Sequence, residues 1–295
     1  MPPPLPSTPN VFVCTKPLQI LVAMILSSEF SPAQLFIVES FSDSLEISKS
    51  TELRKYFTLT KHFLTRADAI KAARHANPRS IFIDSDIGLK TQLALAHLKL
   101  RAPTCSIFVY EEGIGTYRTD LIKSKLKKAI YRATGTACRF GESVLTDKIF
   151  VFSKEAYLES NPHLQRKVRT IENPLSNFIR RHQTDLLNLF SPGFSFPEKE
   201  NDDAYIYLSD WKLSPPSHPP INCDIFIKPH PHISKDEIEM RTKNSPDMHW
   251  VPGSIPAEII IELLSKIYNH VIINHNNSSA VHYMKNLANM IEIKK

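Results

Sequence analysis

The chain has 295 residues, 42% hydrophobic and 22% charged, the make-up of a soluble globular protein with room for one large domain or two of ordinary size. Its formal charge of +6 and pI near 9.0 favour acidic partners: nucleotides, anionic glycans, nucleic acid or an anionic membrane face. Cys14, Cys105, Cys138 and Cys223 are widely separated with no Cys-x-x-Cys spacing, which argues against a zinc site or a disulfide framework and fits a reducing cytoplasm.

Residues 1–10 form a proline-rich start without the basic region and apolar stretch of a signal peptide. From residue 11 onward, short β-branched or aromatic runs alternate with longer amphipathic ones, the pattern of parallel sheets with helical crossovers. Strands are expected at 11–14, 35–38, 80–83, 106–110 and 148–152, with helices at 17–27, 67–76, 89–100 and 120–134, giving an α/β domain over 11–176. The apolar run 18–26 is well short of the ~20 residues needed to cross a bilayer, so membrane contact is expected to be peripheral. A helix around 177–189 leads into a turn-rich, then charged stretch, and 177–203 is read as a hinge. A second α/β domain over 204–295 follows, with strands at 204–208, 224–228, 270–273 and 290–293 and helices at 256–266 and 279–289. Two Rossmann-like domains predict an interdomain cleft lined by the carboxyl ends of two sheets.

Three motifs follow expected strand ends. The first is Glu111-Glu112-Gly113, where an apolar strand stops at two carboxylates and a glycine turn in a chain with only seven glycines. A carboxylate held there can take a proton from a hydroxyl nucleophile, typically contributing ~10²- to 10⁴-fold in rate; the plainer reading is a solvated loop. Adjacent carboxylates usually point apart, so one acts and the other holds the loop.

The second motif is Lys228-Pro229-His230-Pro231-His232. Proline rings fix φ and hold His230 in a defined place; Lys228 and an imidazole can neutralise phosphate charge or assist a leaving group. A metal pair from His230 and His232 lacks acidic or cysteine partners at ligand spacing, so no metal is expected. The third motif is Asn274-His275-Asn276-Asn277-Ser278-Ser279, whose serine and asparagine residues suit a helix cap, while the hydroxyls of Ser278 and Ser279 can add donors to a phosphate at the same helix start; the two roles are compatible.

In that order, Glu111-Glu112-Gly113, His230-Pro231 and Ser278-Ser279 resemble the acidic-acidic-glycine, histidine-proline and serine-serine motifs of bacterial lipooligosaccharide sialyltransferases and capsular α-2,8-polysialyltransferases. Thr15-Lys16-Pro17-Leu18-Gln19 is similar to the threonine-proline-leucine-glutamine start of that family, with Lys16 inserted. The resemblance runs from about residue 11 to 290. It implies a GT-B-like fold, CMP-sialic acid as donor and no other cofactor. The reaction it implies is inverting, metal-independent transfer to a bacterial surface glycan. It further implies that one of the acidic pair, Glu111 first, is the acceptor base, that His230 is the partner of the donor phosphate, and that Ser278 and Ser279 bind that phosphate. Thr15, Asn277 and Pro231 join the donor side; Lys228 is added from its spacing. Another nucleotide-sugar donor, or a non-catalytic glycan-binding protein of the same fold, are the alternatives.

A galactose-ended or anionic acceptor in that family is lipid-linked, so a surface for the cytoplasmic face of the inner membrane is expected. In 120–132, Ile122, Leu126, Ala129 and Ile130 share a helical face, with Lys123, Lys125, Lys127, Lys128 and Arg132 on the remainder. A helix packed on the sheet with solvated lysines is the plainer account. Gly113, Lys127 and Lys128 are the candidate acceptor contacts. Arg180, Arg181 and His182 form a further basic cluster. Nucleic acid is not expected, because basic and aromatic residues are not interleaved.

Overall fold

The structure, a computed structural model, describes residues 8–210, 212, 213, 219–245 and 247–294; the first seven residues of the proline-rich start lie outside the described residues. The chain forms two compact units, residues 1–39 with 48–174, and residues 40–47 with 175–295.

In chain order, the elements up to residue 174 are β1 (Asn10–Cys14), α1 (Pro17–Ser27), β2 (Ala33–Val38), α2 (Ser44–Lys49), β3 (Leu59–Phe63), α3 (Arg66–His75), β4 (Ser80–Ile83), α4 (Leu89–Arg101), β5 (Ser106–Tyr110), α5 (Lys125–Ala133), β6 (Lys148–Val151), α6 (Lys154–Ser160) and β7 (Val168–Thr170). The seven strands form one parallel sheet in the order β3-β2-β1-β4-β5-β6-β7. Alternation along the strands sorts their side chains by kind. Val11, Val13, Ile81, Ile83, Ile107 and Val109 bury one face against α3 and α4. On the opposite face Phe12, Phe82 and Phe108 are register partners on adjacent strands. Phe12 stacks on Phe82 at 4.2 Å, and Phe82 meets Phe108 edge-on at 4.9 Å; such pairs add ~0.5–1.5 kcal/mol each beyond the area they bury.

The second unit continues with α7 (Leu175–Arg181), α8 (Gln183–Phe190), β8 (Asp203–Leu208), β9 (Cys223–Lys228), α9 (Lys235–Lys243), β10 (His249–Trp250), α10 (Ala257–Ile267), β11 (His270–His275), α11 (Ser279–Met284) and β12 (Met290–Lys294). Its parallel sheet runs β10-β9-β8-β11-β12. In both sheets the first strand lies beside the strand at which the winding reverses, so the β1/β4 and β8/β11 pairs are topological switch points, where open α/β sheets place ligands at their carboxyl edge.

Several elements differ from expectation. Strands β3, β7 and β10 lie at sheet edges and lack the apolar runs that mark buried strands; Leu59–Phe63 has three polar residues between its apolar ends and no fully buried one. Helix α5 starts at Lys125, five residues later than the pattern suggests. The Ser124 hydroxyl caps it by accepting the Lys127 N–H at 3.3 Å, and Asp120 is held outside it by Arg118. The single helix expected at 177–189 is two, broken at His182. Within the stretch read as a hinge, α7 packs on α10 and α11, and Arg180 of the basic cluster donates to the buried Glu262 carboxylate at 2.9 Å. Among the described residues no helix is long and apolar enough to cross a membrane.

Candidate functional site

The carboxyl edge of the first sheet gathers Thr15 and Lys16 after β1, Asp84 after β4, and Glu111 and Glu112 after β5. The adjacent carboxylates have opposite surroundings. Glu111 is fully buried, and its Oε2 accepts from the Tyr117 hydroxyl at 2.7 Å and the Phe152 N–H at 2.6 Å, tying the loop after β5 to the end of β6. Desolvation, together with the neighbouring Glu111 charge, pushes the Tyr117 phenol far up, so it stays a donor. Glu111, the first choice for the base, is therefore a structural strut with no solvent face.

Glu112 keeps a 20% exposed side chain and forms an ion pair with Lys16. Its own N–H donates to Thr116 Oγ1 at 2.9 Å. Two glycines make this geometry possible. Gly113 has φ 128° and ψ −162°, a region essentially reserved for glycine. A Cβ at Gly115 would stand 3.2 Å from Glu112 Oε2, so its absence leaves room around the carboxylate.

Lys16 is also the N-cap of α1, with Pro17 at the first helical position, and the Gln19 Oε1 accepts the N–H groups of Thr15 (2.5 Å) and Lys16 (3.1 Å). Thr15, expected on the donor side, donates its hydroxyl to Asp84 Oδ2 at 2.6 Å and to Gln19 at 3.2 Å. Arg66 donates to the same Asp84 oxygen at 2.5 Å. Thr15 thus helps hold Asp84, a buried group that belongs to no sequence motif although it follows directly on the expected strand 80–83.

The second sheet has its own constellation. Lys228 ends β9 with 3% exposure and donates to the carbonyls of Pro229 (2.7 Å) and Gly253 (3.1 Å). Burial lowers its pKa to about 7, against the opposing pull of Glu258, and burial raises the enclosed Glu258 to about 7, offset by a backbone hydrogen bond and Lys228. Lys228 therefore braces the loop that carries His230, with its ammonium engaged by two backbone carbonyls. Between pH 7 and 10.5 the unfolded chain holds the Lys228 proton more tightly than the fold does, so this residue's contribution to stability rises with pH across that window. The stability difference between wild type and Lys228→Met should grow in favour of wild type by up to about 1.4 kcal/mol per pH unit there. Urea midpoints at several pH values measure it, and a flat difference would mean that Lys228 stays charged in the fold.

His230 is half buried; its N–H donates to Ser209 Oγ at 2.7 Å, and its Nδ1 accepts the His232 N–H at 3.4 Å, leaving the ring proton on Nε2. Pro231 turns its carbonyl toward Ser42, whose N–H donates at 3.2 Å. Ser209 follows β8 directly at the β8/β11 switch point and is not among the residues expected from sequence, because a lone serine after a strand has no signature of its own.

Across the switch point, Asn277 sits at φ 54° and the Ser278 hydroxyl caps α11 by accepting the Ala280 N–H at 3.3 Å. The Ser278 N–H donates to His275 Nδ1 at 3.0 Å, which puts the His275 proton on Nε2, 3.0 Å from Glu292 Oε1. Helix α11 has six residues and two of its leading N–H groups are held by the chain itself, so capping accounts for this start. What Ser278 and Ser279 can offer an anion is their hydroxyls. Lys127 and Lys128 lie on α5, with the Lys127 ammonium 5.3 Å above the Tyr131 ring.

No family model matches the chain, and no curated protein matches it. Among solved structures, the chain is similar to UDP-GlcNAc 2-epimerase of Methanocaldococcus jannaschii, crystallised with UDP-GlcNAc and UDP, with a TM-score of 0.54 over 97% of this chain and 88% of that one at 9% identity. The expectation of a CMP-sialic acid transferase is corrected here: the likeness that spans nearly the whole chain is to an enzyme of UDP-sugars, and at 9% identity what it shows for this chain is the α/β fold.

Proposed function

We propose that this chain is a GT-B-like enzyme acting on a UDP-sugar, and that the reaction is glycosyl transfer to a hydroxyl. The observation that carries the reading is the pair of parallel sheets, each reversing about its first strand, combined with a likeness over 97% of the chain to an enzyme solved with UDP-GlcNAc and UDP. The nucleotide is assigned to the β8/β11 switch point. There the hydroxyls of Ser209, Ser278 and Ser279 and the Nε2–H of His230 are the donors for a diphosphate. Glu112 is assigned the acceptor side: it takes the proton of the attacking hydroxyl, the new glycosidic C–O bond forms, and the bond to UDP breaks with its electron pair leaving on the diphosphate. Lys16 orients Glu112.

A thermal-shift panel of UDP-GlcNAc, UDP-glucose, GDP-mannose and CMP-sialic acid tests the donor. A UDP-sugar at ~100 times its Kd should stabilise the protein by about 2.7 kcal/mol, with the other nucleotides inactive. Stabilisation by GDP-mannose or CMP-sialic acid alone, or by none of the four, would overturn the reading. Consumption of the UDP-sugar without release of UDP would rule out transfer and leave another reaction on the same substrate.

A further inference from the structure

Helix α5 is built the opposite way round from a core-packed amphipathic helix. At 100° per residue, Leu126, Ala129, Ile130 and Ala133 fall on one stripe, while Tyr131 lies on the far side. In an ordinary surface helix the stripe faces the core. Here Tyr131 is the buried residue of the helix, packed with Ile122 and Cys138, and the stripe is in solvent: Leu126 is 73% and Ile130 48% exposed, with Ala129 and Ala133 also exposed. Val144, 76% exposed, packs on Gly135 just past the helix end. Lys125 and Arg132 flank the stripe on one side and Lys127 on the other, Lys123 lies just before the helix and Lys128 on the far face, and no acidic residue occurs from 121 to 141.

We propose that α5 is a docking surface for an anionic lipid bilayer, lying in the plane of the interface with Leu126 and Ile130 inserted below the headgroups and the basic residues among the lipid phosphates. The charge pattern selects this occupant. A protein partner or a second copy would meet a strip of uncompensated cations at its edge. An anionic lipid surface neutralises them, each basic side chain near it contributing about fivefold in affinity, while short apolar side chains insert to the ~5–10 Å depth typical of interfacial helices. This inference is independent of the nucleotide-sugar reading.

Co-sedimentation of the whole chain with vesicles tests it. Binding is expected to phosphatidylcholine vesicles carrying about 30% phosphatidylglycerol, not to phosphatidylcholine alone, and should fade toward about 0.5 M salt as charges are screened. Leu126→Glu with Ile130→Glu should lower partitioning at least about tenfold with Tm unchanged, since both side chains are solvent-exposed. Lys125→Gln with Arg132→Gln, which keeps the stripe and removes two charges, should lower it about 25-fold or less. Equal binding to neutral and anionic vesicles, or anionic binding that survives the Leu126 and Ile130 substitutions, would overturn the proposal. So would sedimentation of wild type as a dimer that those substitutions dissolve without any vesicle binding, which would make a second copy the occupant.

Discussion

Glu112→Gln is expected to reduce UDP release from a UDP-sugar and hydroxyl acceptor by about 10²- to 10⁴-fold, the usual contribution of a positioned general base. Glutamine keeps the shape and the room left by Gly115 but cannot take a proton, and it removes the charge that holds the Lys16 ammonium. The fold should be unaffected, because Glu112 is partly exposed and its backbone contact to Thr116 does not involve the carboxylate. Turnover within threefold of wild type in a variant with unchanged circular dichroism would remove Glu112 from the chemistry.

The neighbouring substitution, Glu111→Ala, is expected to act on stability and not first on turnover. It strips one buried oxygen that accepts from both the Tyr117 hydroxyl and the Phe152 N–H, leaving two donors without that acceptor where water is scarce. Each such loss costs ~1–3 kcal/mol, so about 3 kcal/mol in total is expected. Urea denaturation measures it, with the shift read from the midpoint at constant slope. A change below about 0.5 kcal/mol would mean that Glu111 is replaceable by water and is not the strut described above. The two variants form a pair: adjacent residues of identical chemistry, one failing in the reaction and the other in the fold.

Much of the architecture is legible in the sequence because buried parallel strands leave a strong trace. Val11, Val13, Ile81, Ile83, Ile107 and Val109 alternate with Phe12, Phe82 and Phe108, and such runs are apolar on both faces of a covered sheet. Edge strands such as Leu59–Phe63 are illegible for the converse reason: one side pairs with water, and their residues need not be apolar. The motif after β5 is legible as a place where polar groups end an apolar strand. The division of labour inside it is not. Ser209 and Asp84, each a single polar residue after a strand, acquire meaning from the strand order, which puts them beside the switch points.

By itself the sequence determined where the buried strands and the longer helices lie, that the strands are parallel, and which strand ends carry polar groups, since these follow from side-chain periodicity and backbone preference over a few residues. Tertiary structure alone decided which carboxylate is sealed and which is open, that Lys16 meets Glu112 from 96 positions away, that Lys228 is buried against two carbonyls, and that the apolar stripe of α5 faces outward. Desolvation and charge pairing depend on what the rest of the chain places against a residue. That is fixed by packing between elements distant in sequence, and no local pattern encodes it.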